Sequence, residues 1–164
     1  MSKTNIYLGG PLFSEADQAF NSQLANRIRE EFGEQINLYN PQENAEINDK
    51  SGYADSIDIF EADNMHLDQT DILIANLDGV VVDPGLAAEI GYYYHSGNPI
   101  VGLYSDVRQG HHDNQLKIDA LNEVAESQFS YINLYVVGAI KKRGPIAKST
   151  DELIEYIYQY LKED

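Results

Sequence analysis

Two carboxylates stand where this chain is best placed to do chemistry: Asp83 and Glu89, in Asp83-Pro84-Gly85-Leu86-Ala87-Ala88-Glu89-Ile90-Gly91. The stretch follows Asp71-Ile72-Leu73-Ile74-Ala75-Asn76-Leu77, an apolar run that reads as a buried strand. Asp can cap a helix and Pro is favoured at the first helical position, so Asp83-Pro84 reads as a helix start. Leu86, Ala87, Ile90 and Tyr94 give that helix an apolar face. Glu89 then lies about a turn and a half inside it, beyond the carboxyl end of a strand. Open α/β sheets bind their ligands in that crevice. A carboxylate held ionised there, by the positive end of a helix and by a donor, is a nucleophile for an electrophilic carbon. The plain alternative for any strand-helix junction is a capping Asp and a solvated Glu.

The positioning elements follow from pattern. Asn5-Ile6-Tyr7-Leu8-Gly9 alternates and breaks at Gly9-Gly10-Pro11, as a strand ending in a loop. Ser14-x-x-Asp17 opens a helix in the manner of a capping box, with Phe13, Ala16, Phe20, Leu24, Ile28 and Phe32 on one face and Gly33 as the stop. Gln35 to Tyr39 is a short strand. From Asn40 to Gly52 the chain is polar and turn-rich, and a loop of that length is usually functional or mobile. Asp55 to Leu67 reads as a helix with Ile59, Ala62 and Leu67 inward. The motif helix runs to Gly97, and Ile100 to Tyr104 is the next strand. Gln115 to Glu126 reads as a helix within a polar stretch, and periodicity does not decide between strand and helix for Ser130 to Ile140. Ile146-Ala147-Lys148 reads as a fifth strand. Ser149-x-x-Glu152 opens a last helix with Leu153, Ile154, Ile157, Tyr160 and Leu161 on one face.

Strands alternating with helices imply a mainly parallel sheet with helices on both faces. With about five strands, the flavodoxin-like doubly wound order 2-1-3-4-5 is the natural expectation, its switch point between strands one and three. That order sets Tyr7 beside the Asp83-Glu89 turn, where a phenol donating to Glu89 would orient the carboxylate and favour its charge.

Composition excludes several classes. The 164 residues are enough for one domain with a core, expected over 1–164. Eleven Lys and Arg against 27 Asp and Glu leave a net charge of −16, which repels nucleic-acid backbones. No apolar run is long enough for a membrane helix, and the start reads directly as strand rather than as a signal peptide. There is no Cys, and His66, His95, His111 and His112 lack a metal-ligand spacing. We therefore expect a cytoplasmic protein with no metal and no cofactor.

The nine residues from Asp83 resemble the nucleophile motif of the nucleoside 2-deoxyribosyltransferases: Asp-x-Gly, three residues, Glu, an aliphatic residue and Gly. Further pieces follow in order from Thr4 to about Tyr135. Ile6-Tyr7-Leu8-Gly9-Gly10-Pro11-Leu12-Phe13 resembles the family's first strand and loop, whose Tyr bonds the catalytic Glu. Asp63 matches an Asp eight residues before the one that opens strand three, a nucleobase contact in the family. Tyr131-Ile132-Asn133-Leu134-Tyr135 resembles a segment whose Asn reaches a neighbouring subunit's sugar site. Gln42, with Glu43 and Asn44, follows Pro41 where the base-recognition loop begins.

The resemblance implies Glu89 as nucleophile, Tyr7 as its partner and Asp83 as base-side acid, with Gly9, Gln42, Asp63 and Asn133 in substrate binding. It implies transfer of 2-deoxyribose between nucleobases through a deoxyribosyl-Glu ester, on 2′-deoxynucleosides and free bases, in a homo-oligomer with shared sites. A capping Asp is a poor general acid, so if Asp83 caps, the proton comes from elsewhere, from Asp63 or water. The chain departs from short members whose terminal carboxylate helps bind the sugar, because it continues through another helix. Two other readings stay open: an N-glycosidase of 2′-deoxynucleoside 5′-monophosphates and a non-catalytic nucleoside-binding module.

Overall fold

In the computed structural model, which describes residues 2–45 and 53–162, the strands lie parallel in one sheet of order β2-β1-β3-β4-β5. They are β1 (Thr4–Gly9), β2 (Ile36–Tyr39), β3 (Ile72–Asn76), β4 (Ile100–Leu103) and β5 (Ile146–Ala147). Parallel neighbours need a crossover between them. The crossovers are α1 (Glu15–Phe32), α2 (Ser56–Asp68), α3 (Pro84–Tyr93) and α5 (Leu134–Lys141), with the short α4 (Gln115–Asp119) before α5 and α6 (Thr150–Lys162) closing the chain.

The two-residue period of the strands divides the core. Ile6, Leu8, Ile72, Ile74, Val101 and Leu103 face one side, packed with Leu24, Ile28 and Phe32 of α1 and Leu153, Ile154 and Ile157 of α6. Tyr7, Leu73, Ala75 and Ile100 face the other, packed with Leu67 of α2, Leu86, Ile90 and Tyr93 of α3, and Val136 and Ile140 of α5. Every residue of β3 is buried, as a central parallel strand covered on both faces must be. The flavodoxin-like order read from the sequence is therefore the observed one. Tyr7 belongs to the face that carries α3.

Several local readings need correction. The Ser14 capping box is present as read, and α1 begins at Glu15. Phe13 thus precedes the cap and is 84 % exposed, and Ala16 in the first turn also faces outward. On α2, Leu67 is buried but Ile59 is exposed, because the helix turns the side bearing Asp63 and Leu67 to the sheet. The motif helix ends at Tyr93 in a single 3-10 turn, and Gly97 turns the chain with φ 87°. The expected helix from Gln115 shrinks to Gln115–Asp119 and one 3-10 turn. The undecided stretch from Ser130 is helical from Leu134, capped by Asn133. Of the polar loop after β2, Pro41–Glu43 forms a 3-10 turn. Asn48-Asp49-Lys50-Ser51-Gly52 lie outside the described residues.

The sheet ends are tied by side chains. At the amino end, Asp71 Oδ2 accepts from the Asn5 N–H at 2.7 Å. At the carboxyl end, Asp78 accepts from the Ser105 N–H at 2.7 Å and from its hydroxyl at 2.6 Å, joining the tips of β3 and β4. Among the described residues, no helix is long and apolar enough to cross a membrane.

Ile74, wholly buried in the central strand, faces α1 and α6. Ile74→Ala is expected to destabilise the protein by about 2–5 kcal/mol, measured by urea denaturation as a lower midpoint with an unchanged slope.

Candidate active site

At the switch point β1 and β3 pair in register, Tyr7 opposite Leu73 and Gly9 opposite Ala75. Beyond their carboxyl ends the chain turns through Asp83 into α3. Asp83 caps that helix: its Oδ1 accepts from the Leu86 N–H at 2.9 Å, and Pro84 occupies the first turn. The next turn brings Glu89 over β1, where the Tyr7 hydroxyl donates to Glu89 Oε1 at 2.7 Å. The other carboxylate oxygen lies above Gly9. A Cβ added at Gly9 would come within 3.0 Å of Glu89 Oε2 and 2.8 Å of Leu86 Cδ1. Gly9 is therefore the residue over which α3 descends, and Gly10 fits in the same way against Asn76, whose Cβ would lie 2.9 Å from a Cβ at that position.

The electrostatics of the cluster are set by burial and by like charge. Glu89 is pushed up from the ordinary 4.5 to about 7, first by removal from water. The Tyr7 hydrogen bond pulls the other way, and the nearby carboxyls of Asp63 and Asp83 add to the rise. The sequence reading has the helix dipole and the phenol favouring the ionised form of Glu89. The phenol acts in that direction but burial outweighs it, and Glu89 lies past the first turn, where the dipole is strongest. Tyr7, wholly buried, is held as a neutral phenol by burial and then by the charges of Glu89 and Asp63. Asp63 reaches the cluster from α2. Burial raises it above the usual carboxylate range, against the pull of His66 and the Tyr7 hydroxyl.

Sequence reasoning overlooked two members of this cluster. Tyr39 stands opposite Tyr7 in the β1–β2 register, its ring 5.3 Å from that of Tyr7. His66 stacks on Tyr39 with ring centroids 3.6 Å apart and planes 17° from parallel. Both signals were in the chain: an aromatic at the same end of the neighbouring strand, and a His three residues after Asp63 on the same helix.

The structure thus brings together Tyr7, Gly9, Asp63, Asp83 and Glu89. It does not bring Gln42 or Asn133 to them. Gln42 Nε2 donates to Ser22 Oγ at 2.8 Å and to the Gln18 carbonyl, and its Oε1 accepts from Asn21, so its amide holds the β2 loop to α1. Asn133 is exposed and caps α5, accepting from the Tyr135 and Val136 N–H groups. Asp78, just beyond β3, is bonded to Ser105. Among the described residues, no group of three or more His, Asp or Glu is placed to hold a metal ion.

A parallel doubly wound sheet with a carboxylate–phenol pair at its switch point places this protein among the flavodoxin-like α/β folds. Residues 6–121 match the family model described as nucleoside 2-deoxyribosyltransferase. The chain belongs to that family. It is 31% identical over 172 residues to an uncharacterized protein of Ureaplasma parvum serovar 3, covering 98% of each chain. It superposes on a conserved protein of Enterococcus faecalis V583 with a TM-score of 0.91 and 51% identity, covering 97% of this chain and 99% of the other. The fold is shared with a 2-deoxyribosyltransferase from Bacillus psychrosaccharolyticus at TM-score 0.62 and 21% identity, 96% of each chain being covered. A Leishmania mexicana 2-desoxiribosyltransferase matches at TM-score 0.63 and 16% identity, with 97% of each chain covered.

A raised Glu89 binds its proton more tightly folded than unfolded. Burying Glu89 therefore carries no charge penalty below about pH 4.5, and a penalty on the fold grows as pH rises from there through about 7. Glu89→Gln removes that penalty. The variant is expected to be more stable than the parent at pH 8, by up to about 3 kcal/mol, and equal to it at pH 4, in paired denaturation curves.

Proposed function

We propose that this protein transfers 2-deoxyribose between nucleobases, with Glu89 as the covalent nucleophile. The observation that carries this reading is the 2.7 Å hydrogen bond from Tyr7 to Glu89, which aims a partly buried carboxylate at the switch-point crevice of this family's fold. A carboxylate that loses its proton near pH 7 is available in neutral solution yet more basic than a solvated one. Glu89 attacks C1′ of a 2′-deoxynucleoside as the bond from C1′ to the base nitrogen breaks. The base leaves with a proton, and a deoxyribosyl ester of Glu89 remains. A second base attacks C1′, Glu89 leaves as carboxylate, and the proton of the incoming base returns to the acid.

Asp63 suits the role of that acid better than Asp83. Asp83 is engaged as the α3 cap, whereas burial favours the protonated form of Asp63. The role left to Asp83 is to hold α3, and with it Glu89, at the crevice.

The loop beyond β1 supports a nucleoside rather than its 5′-phosphate. The α1 amino terminus, a natural anion site, is partly engaged within the chain: Ser14 Oγ accepts from the Asp17 N–H, and Asp17 Oδ2 accepts from the Ser14 N–H and hydroxyl. Glu15 and Asp17 make that turn acidic. Phosphate there would meet the carboxylates of Glu15 and Asp17.

Asn133 serves as a contact to a second copy in this reading. Tyr131, Leu134 and Tyr135 around it are 77 %, 73 % and 88 % exposed, an apolar surface of the kind that protein partners cover.

Two measurements test the proposal. Deoxyinosine with free adenine should yield deoxyadenosine. Deoxyinosine alone should leave a deoxyribosyl adduct on the peptide containing Glu89, seen by mass spectrometry, and Glu89→Ala should lose activity by several orders of magnitude. Deoxyribose released equally with and without adenine means hydrolysis; binding without base release means a non-catalytic module; an adduct on Asp63 or Asp83 reassigns the nucleophile. Separately, light scattering at assay concentration should give an oligomer, and a monomer would remove Asn133 from the site.

A further inference from the structure

Asn21 takes no part in the reaction as written, yet its side chain is deeply enclosed, 4 % exposed in the second turn of α1. Its Nδ2 donates to the Pro11 carbonyl at 2.9 Å and to Gln42 Oε1 at 3.1 Å. Only the amide nitrogen can serve a carbonyl oxygen, so the side chain cannot turn over without losing the bond to Pro11. Its Oδ1 is buried with no donor among the described residues. A buried acceptor without a partner costs free energy, so packing alone favours an apolar side chain here. What the amide provides is the pair of bonds made by its nitrogen.

The bond to Pro11 acts on the loop that leads out of β1. The carbonyls of Pro11 and Leu12 both turn to α1: Asn21 holds the first, and Gln18 Nε2 donates to the second at 3.2 Å. The C=O and N–H of one trans peptide point in opposite directions. Holding these two carbonyls against α1 therefore turns the N–H groups of Leu12 and Phe13 away from it. Among the described residues, neither N–H has an acceptor. The Gln18 bond is exposed, whereas the Asn21 bond is shielded from water, so Asn21 is the firmer of the two holds.

We propose that Asn21 is a positioning residue of this site: by holding the Pro11 carbonyl from α1, it keeps the Leu12 and Phe13 N–H groups turned out as donors to a hydroxyl of the sugar. The inference rests on the nucleoside reading of the site. Glu89 Oε2 lies over Gly9, so a sugar whose C1′ meets Glu89 stands beside this loop. Leu12 is three residues beyond Gly9, at most about 10 Å of chain, within the span of a pentose and its hydrogen bonds. Glu15 and Asp17 make the adjoining turn acidic, so these donors suit a neutral hydroxyl and not an anion. Asn21 itself touches no substrate; it acts through the peptide planes.

The experiment compares the wild type with Asn21→Leu, which keeps much of the shape and gives up the donors. Base exchange with adenine is measured on deoxyinosine, 2′,3′-dideoxyinosine and 2′,5′-dideoxyinosine. Asn21→Leu should lose about tenfold in kcat/KM on deoxyinosine. Removing the hydroxyl that the loop holds should cost the wild type about as much and cost the variant nothing further. Losses that add for both analogues, or full activity in the folded variant, leave Asn21 a packing residue and overturn the proposal. Amide 15N–1H spectra give a second readout that needs no turnover. The Leu12 and Phe13 signals should shift on saturation with deoxyinosine in the wild type and not in Asn21→Leu; unmoved signals in the wild type, or equal shifts in both, also overturn it. If Asn21→Leu fails to fold, Asn21→Ala carries the same expectations. Absence of base exchange in every form would count against the transfer reaction, while the amide shifts alone would still decide the role of Asn21.

Discussion

The bond from Tyr7 to Glu89 is the constraint on which the carboxyl end of the sheet depends. Its partners are 82 residues apart, one on the central strand β1 and the other on α3. Both are withdrawn from water, and each would be costly to leave unpaired there. The parallel order puts β1 next to β3, so that the helix following β3 starts above β1. The Asp83 cap and Pro84 set where α3 begins, and therefore where its sixth residue falls. Gly9 supplies the room. Remove any of these and the donor and acceptor no longer meet.

The cluster is an unfavourable arrangement of charge held by favourable surroundings. Asp63 and Asp83 come close enough to Glu89 that both raise the cost of ionising it, and burial weighs more than either neighbour. The hydrogen bond offsets part of that cost only. The core does the rest, with Leu86, Ile90 and Tyr93 on the buried side of the same short helix. A helix that places an unwanted carboxyl with one face keeps its position through the other.

Most of this was legible from residue pattern, because the signals are local. Alternation in Asn5–Gly9, continuous burial in Ile72–Asn76 and the Ser14 and Asp83 starts each need only a few neighbouring residues. Parallel topology then follows from their order, and the meeting of Tyr7 with Glu89 from the topology. What did not show is what depends on distant contacts. The exposure of Ile59 depends on how α2 rolls against the sheet, and Phe13 on where α1 stops short of it. Gln42 could have faced either way until Ser22 and Asn21 of α1 took its amide. The extent to which Glu89 resists ionising is likewise a sum over burial and three partners, none of which a motif displays. The family resemblance supplied the proposed residue roles; the geometry adds that Asp83 caps α3.

The register of β1 has a consequence for folding as well as for chemistry. Tyr7 pairs with Leu73 on one side and Tyr39 on the other, between two aliphatic neighbours that face the opposite core. A slip of one residue would turn the phenol into the layer under α1 and α6 and present Ile6 or Leu8 to Glu89. Such a chain would have a hydroxyl and a carboxyl both buried with no partner, a penalty on top of the displaced apolar side chains. The Tyr7–Glu89 pair is thus also a proofreading device for strand assembly: wrong registers are marked as costly by the same two groups that the right one joins.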